Sequence, residues 1–194
     1  MSESTEEEKA AAALAVLVDQ LSAASRRSRQ DAAHDIESIA RVSPERLTPH
    51  VGKLIEALGR PEAQTRWEVL SALSEMVQVD ANAVTDAFEG AESSLFDEGS
   101  ATVRLAAFRF LARLGATGAR MSDEAWPLLD EAVQCYHGDP EYHDMLVSML
   151  EFARGSLSEK SRDALAARVA FDAESGRGYI KAYSTEIAAA VAAA

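Results

Sequence analysis

TVRLAAFRFLARLG, residues 102–115, sets Arg104 near the start of a run whose small or apolar residues fall three, seven and ten places further on, at Ala107, Leu111 and Leu114. That spacing lines one face of a helix. Working outward, the same register recurs from Arg29 (Ala32, Ile36, Ile39) and from Arg66 (Val69, Leu73, Met76), and more faintly from His143 (Leu146, Leu150, Ala153). The starts lie 37, 38 and 39 residues apart (66−29, 104−66, 143−104), which is the length of a two-helix repeat.

The intervening sequence supplies the second helix of each unit. Leu14, Leu17, Val18 and Leu21 have helical spacing, and Ser25 or Ser28 can cap the helix that runs to about Arg41. Ser43-Pro44 and Thr48-Pro49 each read as a cap followed by a first-turn proline, before the stripe Val51, Leu54, Ile55 and Leu58 that ends at Gly59. Pro61 opens the Arg66 helix, and Val84, Phe88, Ala91 and Leu95 mark its follower. Ser122 is expected to cap a helix bearing Trp126, Leu129 and Val133, with Pro127 in its first turn or at a kink. Asp139-Pro140 and Ser156 with Glu159 read as two further starts, and DAESGRG (172–178) as a turn before a last helix with Tyr179, Ile180, Tyr183 and Ile187.

No stretch alternates with period two, so no sheet is expected. The expected fold is all-α: an α-α superhelix of about four helical pairs plus flanking helices. It is read as one domain over 1–194, with repeat units at 6–41, 44–78, 81–115 and 122–154 and C-terminal helices at 157–193.

The V/T-R-x-x-A/V signature resembles the HEAT-repeat family, an armadillo-type α-solenoid, over roughly residues 28–155. Val103-Arg104 with Ala106 and Ala107 is the closest match, and Pro49 and Pro127 stand 17 and 16 residues before Arg66 and His143. The fourth copy lacks the arginine, and the first has Ser28-Arg29 where the pattern has an apolar residue before arginine. The resemblance implies that the arginine helices line a concave side and that the molecule grips a macromolecule.

With 19 basic and 32 acidic residues the formal charge is −13, which repels polyanions and favours basic partners. Nucleic acid and anionic lipid are therefore disfavoured as ligands. The single cysteine, Cys135, rules out an internal disulfide framework and fits a reducing cytoplasm. The apolar run Ala10–Val18 is too short to span a bilayer and follows three glutamates instead of a basic segment.

A pair of amphipathic helices cannot bury its apolar face alone, so neighbours stack and leave an extended surface. On the arginine helices the face opposite the core falls near one, five, eight and twelve places past the arginine. Those positions are Gln30, His34, Glu37 and Arg41; Trp67, Ser71, Ser74 and Gln78; Leu105, Arg109 and Ala112; then Asp144, Ser148 and Glu151. The candidate partner-binding set is Trp67 with Arg109, Arg113, Glu68, Glu75 and His34. Trp67 has two readings, an anchor presented to a partner or a ring folded over a repeat junction into the core. Arg29, Arg66 and Arg104 read as a structural ladder, because periodicity is what a ladder requires.

The densest reactive stretch is CYHGDPEYHD, residues 135–144. It has no C-x-x-C spacing and reads as an inter-repeat turn, so neither a metal nor a cofactor is expected. No catalytic residue emerges, and the function expected is that of a non-catalytic protein-interaction scaffold or adaptor taking a basic or extended protein segment along the concave face. The alternative is a DNA-binding enzyme resembling the HEAT-like alkylpurine DNA glycosylases, with Trp67 beside Glu68 or Asp144. The negative charge counts against it, since phosphate contacts need a basic stripe.

Overall fold

The computed structural model of the chain describes residues 2–193, with side chains from residue 6 onward. Among the described residues there are ten α-helices and no strand. They are α1 (Ser2–Asp19), α2 (Arg26–Val42), α3 (Val51–Ala57), α4 (Ala63–Asp80), α5 (Phe88–Leu95), α6 (Ala101–Gly115), α7 (Ala119–Cys135), α8 (Tyr142–Ala153), α9 (Glu159–Ser175) and α10 (Gly178–Ala193). The chain divides into two compact units, residues 1–91 and 92–194.

In the first unit α2 lies against α4, α1 against α3, and α3 packs on α4. Helices two apart in sequence are thus neighbours in each layer. Ser25 caps α2 by accepting a hydrogen bond from the Ser28 amide (3.3 Å), which satisfies one of the orphan donors of the first turn. The expected third helix is shorter than its apolar stripe suggests, because Pro44–His50 forms a tighter 3-10 segment instead. Pro49 has no amide to donate, and α3 begins only past it, at Val51. Leu47 and Leu54 nevertheless reach the core from both segments. Within this unit α4 is the most enclosed helix: Val69, Leu70, Ala72, Leu73, Met76 and Val77 are all buried.

In the second unit α6, α8 and α10 form one layer and α7 and α9 the other, with α9 and α10 packed on each other. The two C-terminal helices therefore continue the array as a further pair. Ser100 caps α6 by accepting from Val103 N (3.3 Å), and Ser158 caps α9 by accepting from Ser161 N (2.9 Å).

Three helix starts differ from those expected of the sequence. Helix α7 begins at Ala119, so Ser122 is buried inside it. Its hydroxyl donates to Ala119 O (2.8 Å) and accepts from Ser158 N (2.9 Å), tying α7 to the start of α9. Pro127 accordingly lies within α7, beyond its first turn. Ser158 takes the capping role expected of Ser156. Asp139 caps nothing with its side chain; its carbonyl accepts from Tyr142 N (3.0 Å) in a turn, and Glu141 is the residue that precedes α8.

Trp126 is buried and stacks on Phe152, with centroids 6.2 Å apart and ring planes at 12°, as its place on an apolar stripe implies. The large side chains Phe108, Phe110, Leu111 and Phe152 are fully enclosed. Each contributes about 1.5–3 kcal/mol relative to an exposed position.

Candidate partner-binding face

The even-numbered helices carry the candidate face, and what their arginines do decides which side chains are left for a partner. Arg29 makes a bidentate pair with Glu62, the residue before α4, and donates to the carbonyls of Ala23 (2.7 Å) and Ala24 (3.0 Å). Arg104 repeats the arrangement two repeats later: it pairs with Glu141 before α8, donates to Asp97 O (2.8 Å) and lies 4.6 Å from the centroid of Tyr136. Both pairs are largely buried. The hydrogen bond from Arg29 holds the Glu62 carboxyl below the ordinary carboxylate value in spite of its burial. These two arginines belong to the structure, as a ladder predicts.

Where the fourth copy has His143, the ring meets Tyr179 and Tyr183 of α10 edge-on at 5.3 and 5.2 Å, and its Nδ1 lies 2.8 Å from Asp144 Oδ1. A fifth copy was missed in the sequence. Lys181 stands 38 residues past His143 and donates to Glu174 O (2.9 Å), seven residues back, as Arg104 does to Asp97 O. The signal was present in the spacing, but the flanking apolar residues of α10 are mostly alanine and leave a weak stripe.

Of the candidate set, Trp67, Glu68, Glu75 and His34 belong to the first unit and Arg109 and Arg113 to the second. Trp67, Ser71 and Glu75 are half-buried and Gln78 is exposed, so the open stripe of α4 runs where expected except that Ser74 is buried, its hydroxyl donating to Leu70 O (2.9 Å). Trp67 is neither enclosed nor fully presented.

Glu68 is a correction, since at 2% exposure it is no part of an open surface. It faces α2, with Oε1 3.2 Å from Nδ1 of the exposed His34 there and 3.4 Å from Nε2 of Gln64 on its own helix, while Oε2 meets no hydrogen-bond partner among the described residues. Burial pushes its carboxyl up, against the hydrogen bonds from Gln64 and His34. Glu37 is likewise buried and holds Arg41. Helix α2 lies against α4, so the side of each that faces the other cannot also face a partner.

In the second unit Leu105, Arg109 and Arg113 are half-buried in the same register as Trp67, Ser71 and Glu75. Arg113 is engaged within the fold, donating from Nε to Glu151 Oε2 (3.2 Å) on α8. Ala112 and Ser148 are buried. Asp144 and Glu151 remain exposed.

The reactive stretch 135–144 is dispersed: Cys135 is exposed, His137 packs on Tyr142 with centroids at 4.7 Å, and Glu141 is held by Arg104. Among the described residues no group of three or more His, Cys, Asp or Glu side chains is placed to hold a metal ion. No helix among them is long and apolar enough to cross a membrane.

No protein-family model and no curated protein matches this chain. Solved structures do match its fold. A designed armadillo repeat protein in complex with the peptide (KR)4 superimposes with a TM-score of 0.78 at 14% identity, covering 97% of this chain and 86% of its own. A computationally designed armadillo repeat protein for modular peptide recognition gives 0.74 at 15% identity, covering 97% and 86%. An engineered protein gives 0.75 at 16% identity, covering 93% and 79%. The chain has the all-α fold of an armadillo- or HEAT-like helical-repeat solenoid.

Proposed function

We propose that the chain is a non-catalytic cytoplasmic adaptor of the HEAT-like kind, holding a basic or extended protein segment on the face of the arginine helices within each unit. The observation that carries the reading is the stripe Trp67, Ser71, Glu75 and Gln78 on α4, where a half-open tryptophan is followed at helical spacing by small and polar residues. Tryptophan with a polar surround is the residue type in which interfaces concentrate binding energy. The charge of −13 supports a basic partner. A designed protein of this fold has been solved with a peptide of alternating lysine and arginine, which makes that peptide a sensible first probe.

His34 and Glu75 would contact the segment beside Trp67, and Arg109 would mark the matching register of the second unit. Glu68 and Arg113 would act from behind, holding their neighbours in place.

The test pairs titration of fluorescent (KR)4 with a quantitative pull-down from lysate, comparing wild type with Trp67→Ala and Arg109→Glu. Saturable peptide binding that weakens at least about fivefold in Trp67→Ala, with a protein lost from the same variant's eluate, is the expected result. Equal behaviour of all three proteins overturns the face. Recovery of salt-released nucleic acid in place of a protein overturns the adaptor reading itself.

A further inference from the structure

We propose that the second unit contains a binding site for a small, uncharged, mainly apolar molecule bearing one hydroxyl or carbonyl group. Helices α7, α8, α9 and α10 form a half-open cavity of about 330 Å³ with an apolar wall of Val133, Leu146, Met149 and Val169, and Gln134 and His137 also line it. That volume is at the lower end of the range for small-ligand sites. It equals the liquid share of roughly ten waters.

Two hydroxyl groups on the lining point to the ligand's chemistry. Tyr142 is 4% exposed and Ser184 is 1% exposed, and both line the cavity. Buried hydroxyls are ordinarily satisfied. Elsewhere in this chain the hydroxyls of Ser71, Ser148 and the adjacent Thr185 each donate to the carbonyl four residues back, whereas that of Thr65 is buried without a partner. Among the described residues neither the Tyr142 nor the Ser184 hydroxyl meets a hydrogen-bond partner, and neither oxygen is sealed inside the protein as Thr65 Oγ1 is, so both are open to a molecule in the cavity they line. A ligand hydroxyl or carbonyl would satisfy them. The Tyr142 phenol is pushed up to about 12 by burial and then by Asp172 and Tyr179, so it stays a proton donor throughout the physiological range.

The charged groups on the lining select against an anion. Arg168 is committed to Asp130 through Nε and a second guanidinium nitrogen (2.5 and 2.9 Å), which neutralises the cation, while the Asp172 carboxylate on the same lining, which also holds His137, forms no ion pair among the described residues. A carboxylate ligand would meet that charge in a partly desolvated space. Phe171, 74% exposed at the rim, supplies an apolar surface at the entrance.

The experiment is titration of the full chain with 2-naphthol and, separately, 2-naphthoate, followed by methyl NMR signals of Leu146, Met149, Val133 and Val169. Saturable shifts with 2-naphthol, at least tenfold weaker with the carboxylate, are expected. Ser184→Ala and Tyr142→Phe, checked for intact helicity, should each weaken 2-naphthol about three- to tenfold, and Val169→Phe should abolish its binding by filling the space. Absence of saturation, a carboxylate that binds as well as the alcohol, or wild-type affinity in the two hydroxyl variants overturns the assignment. The hydroxyl variants remain decisive if Val169→Phe fails to fold.

Discussion

Replacing Arg104 by alanine would leave Glu141, whose side chain is 4% exposed, as a buried carboxylate without its cation. Breaking such a pair destabilises by about 3–5 kcal/mol, much more than the loss of an exposed ion pair such as Lys9–Glu6. Urea unfolding should show it as a fall in midpoint. Two other glutamates should respond oppositely to pH. Glu62 is held below its ordinary value by Arg29, so it stabilises the fold above the ordinary carboxylate range and loses that contribution as pH falls through its lowered value. Glu68 is raised by burial, so it destabilises at neutral pH and is relieved as pH falls through its raised value. Thermal melts at pH 7 should therefore find Glu62→Gln less stable and Glu68→Gln more stable than wild type, with the Glu68→Gln gain shrinking on acidification below the raised value. An unchanged Glu68→Gln melt at both pH values would contradict this. The roles of Arg29 and Arg104 were legible in the sequence because a ladder is periodic. The burial of Glu68 was not, because a carboxylate reads as solvated until the helix packed over it is known.

Helices were legible as elements because their apolar spacing is regular over several turns, as in 102–115. Their ends were less so. Ser25 lies one position before its helix and caps it, whereas Ser122, Ser156 and Asp139 sit in equally plausible local sequence and do not. The difference is tertiary: Ser122 is drawn into α7 because its hydroxyl also receives the amide that starts α9. Close approach between elements gives a second kind of prediction. A Cβ at Gly155, just past α8, would stand 2.5 Å from Ala116 O and 2.7 Å from Ala116 Cα, backbone that cannot turn aside. That contact is pinned by the hydrogen bond from Ser156 N to Ala116 O (2.8 Å). Gly155→Ala should destabilise by about 1–3 kcal/mol, whereas Gly52→Ala, which meets nothing within 4 Å, should be neutral or mildly stabilising. Equal denaturation midpoints for the two variants would refute the close contact.

Over the whole chain, the polar ties share one reach. Arg29 to Glu62, His34 to Glu68, Arg104 to Glu141, Arg113 to Glu151 and Arg168 to Asp130 each join residues 33–38 apart. In such an array stability is nearly a sum of copy and neighbour terms. Hydrogen exchange of Arg104→Ala should accordingly accelerate in α6 and α8 while amides of α2 keep their protection; uniform acceleration would argue for all-or-none unfolding. The repeat itself was legible from spacing alone, whereas the half-buried state of Trp67 and the cavity lined by Tyr142 and Ser184 depend on side chains from several helices at once. The common reach of the ties also bears on how such a chain can change length in evolution. Excising residues 66–103, one whole period, would set Arg104 in the place of Arg66 and keep both buried pairs, Arg29 with Glu62 and Arg104 with Glu141. A recombination event that keeps the period can therefore alter copy number without stranding a buried charge, whereas an insertion of half a period would strand several at once.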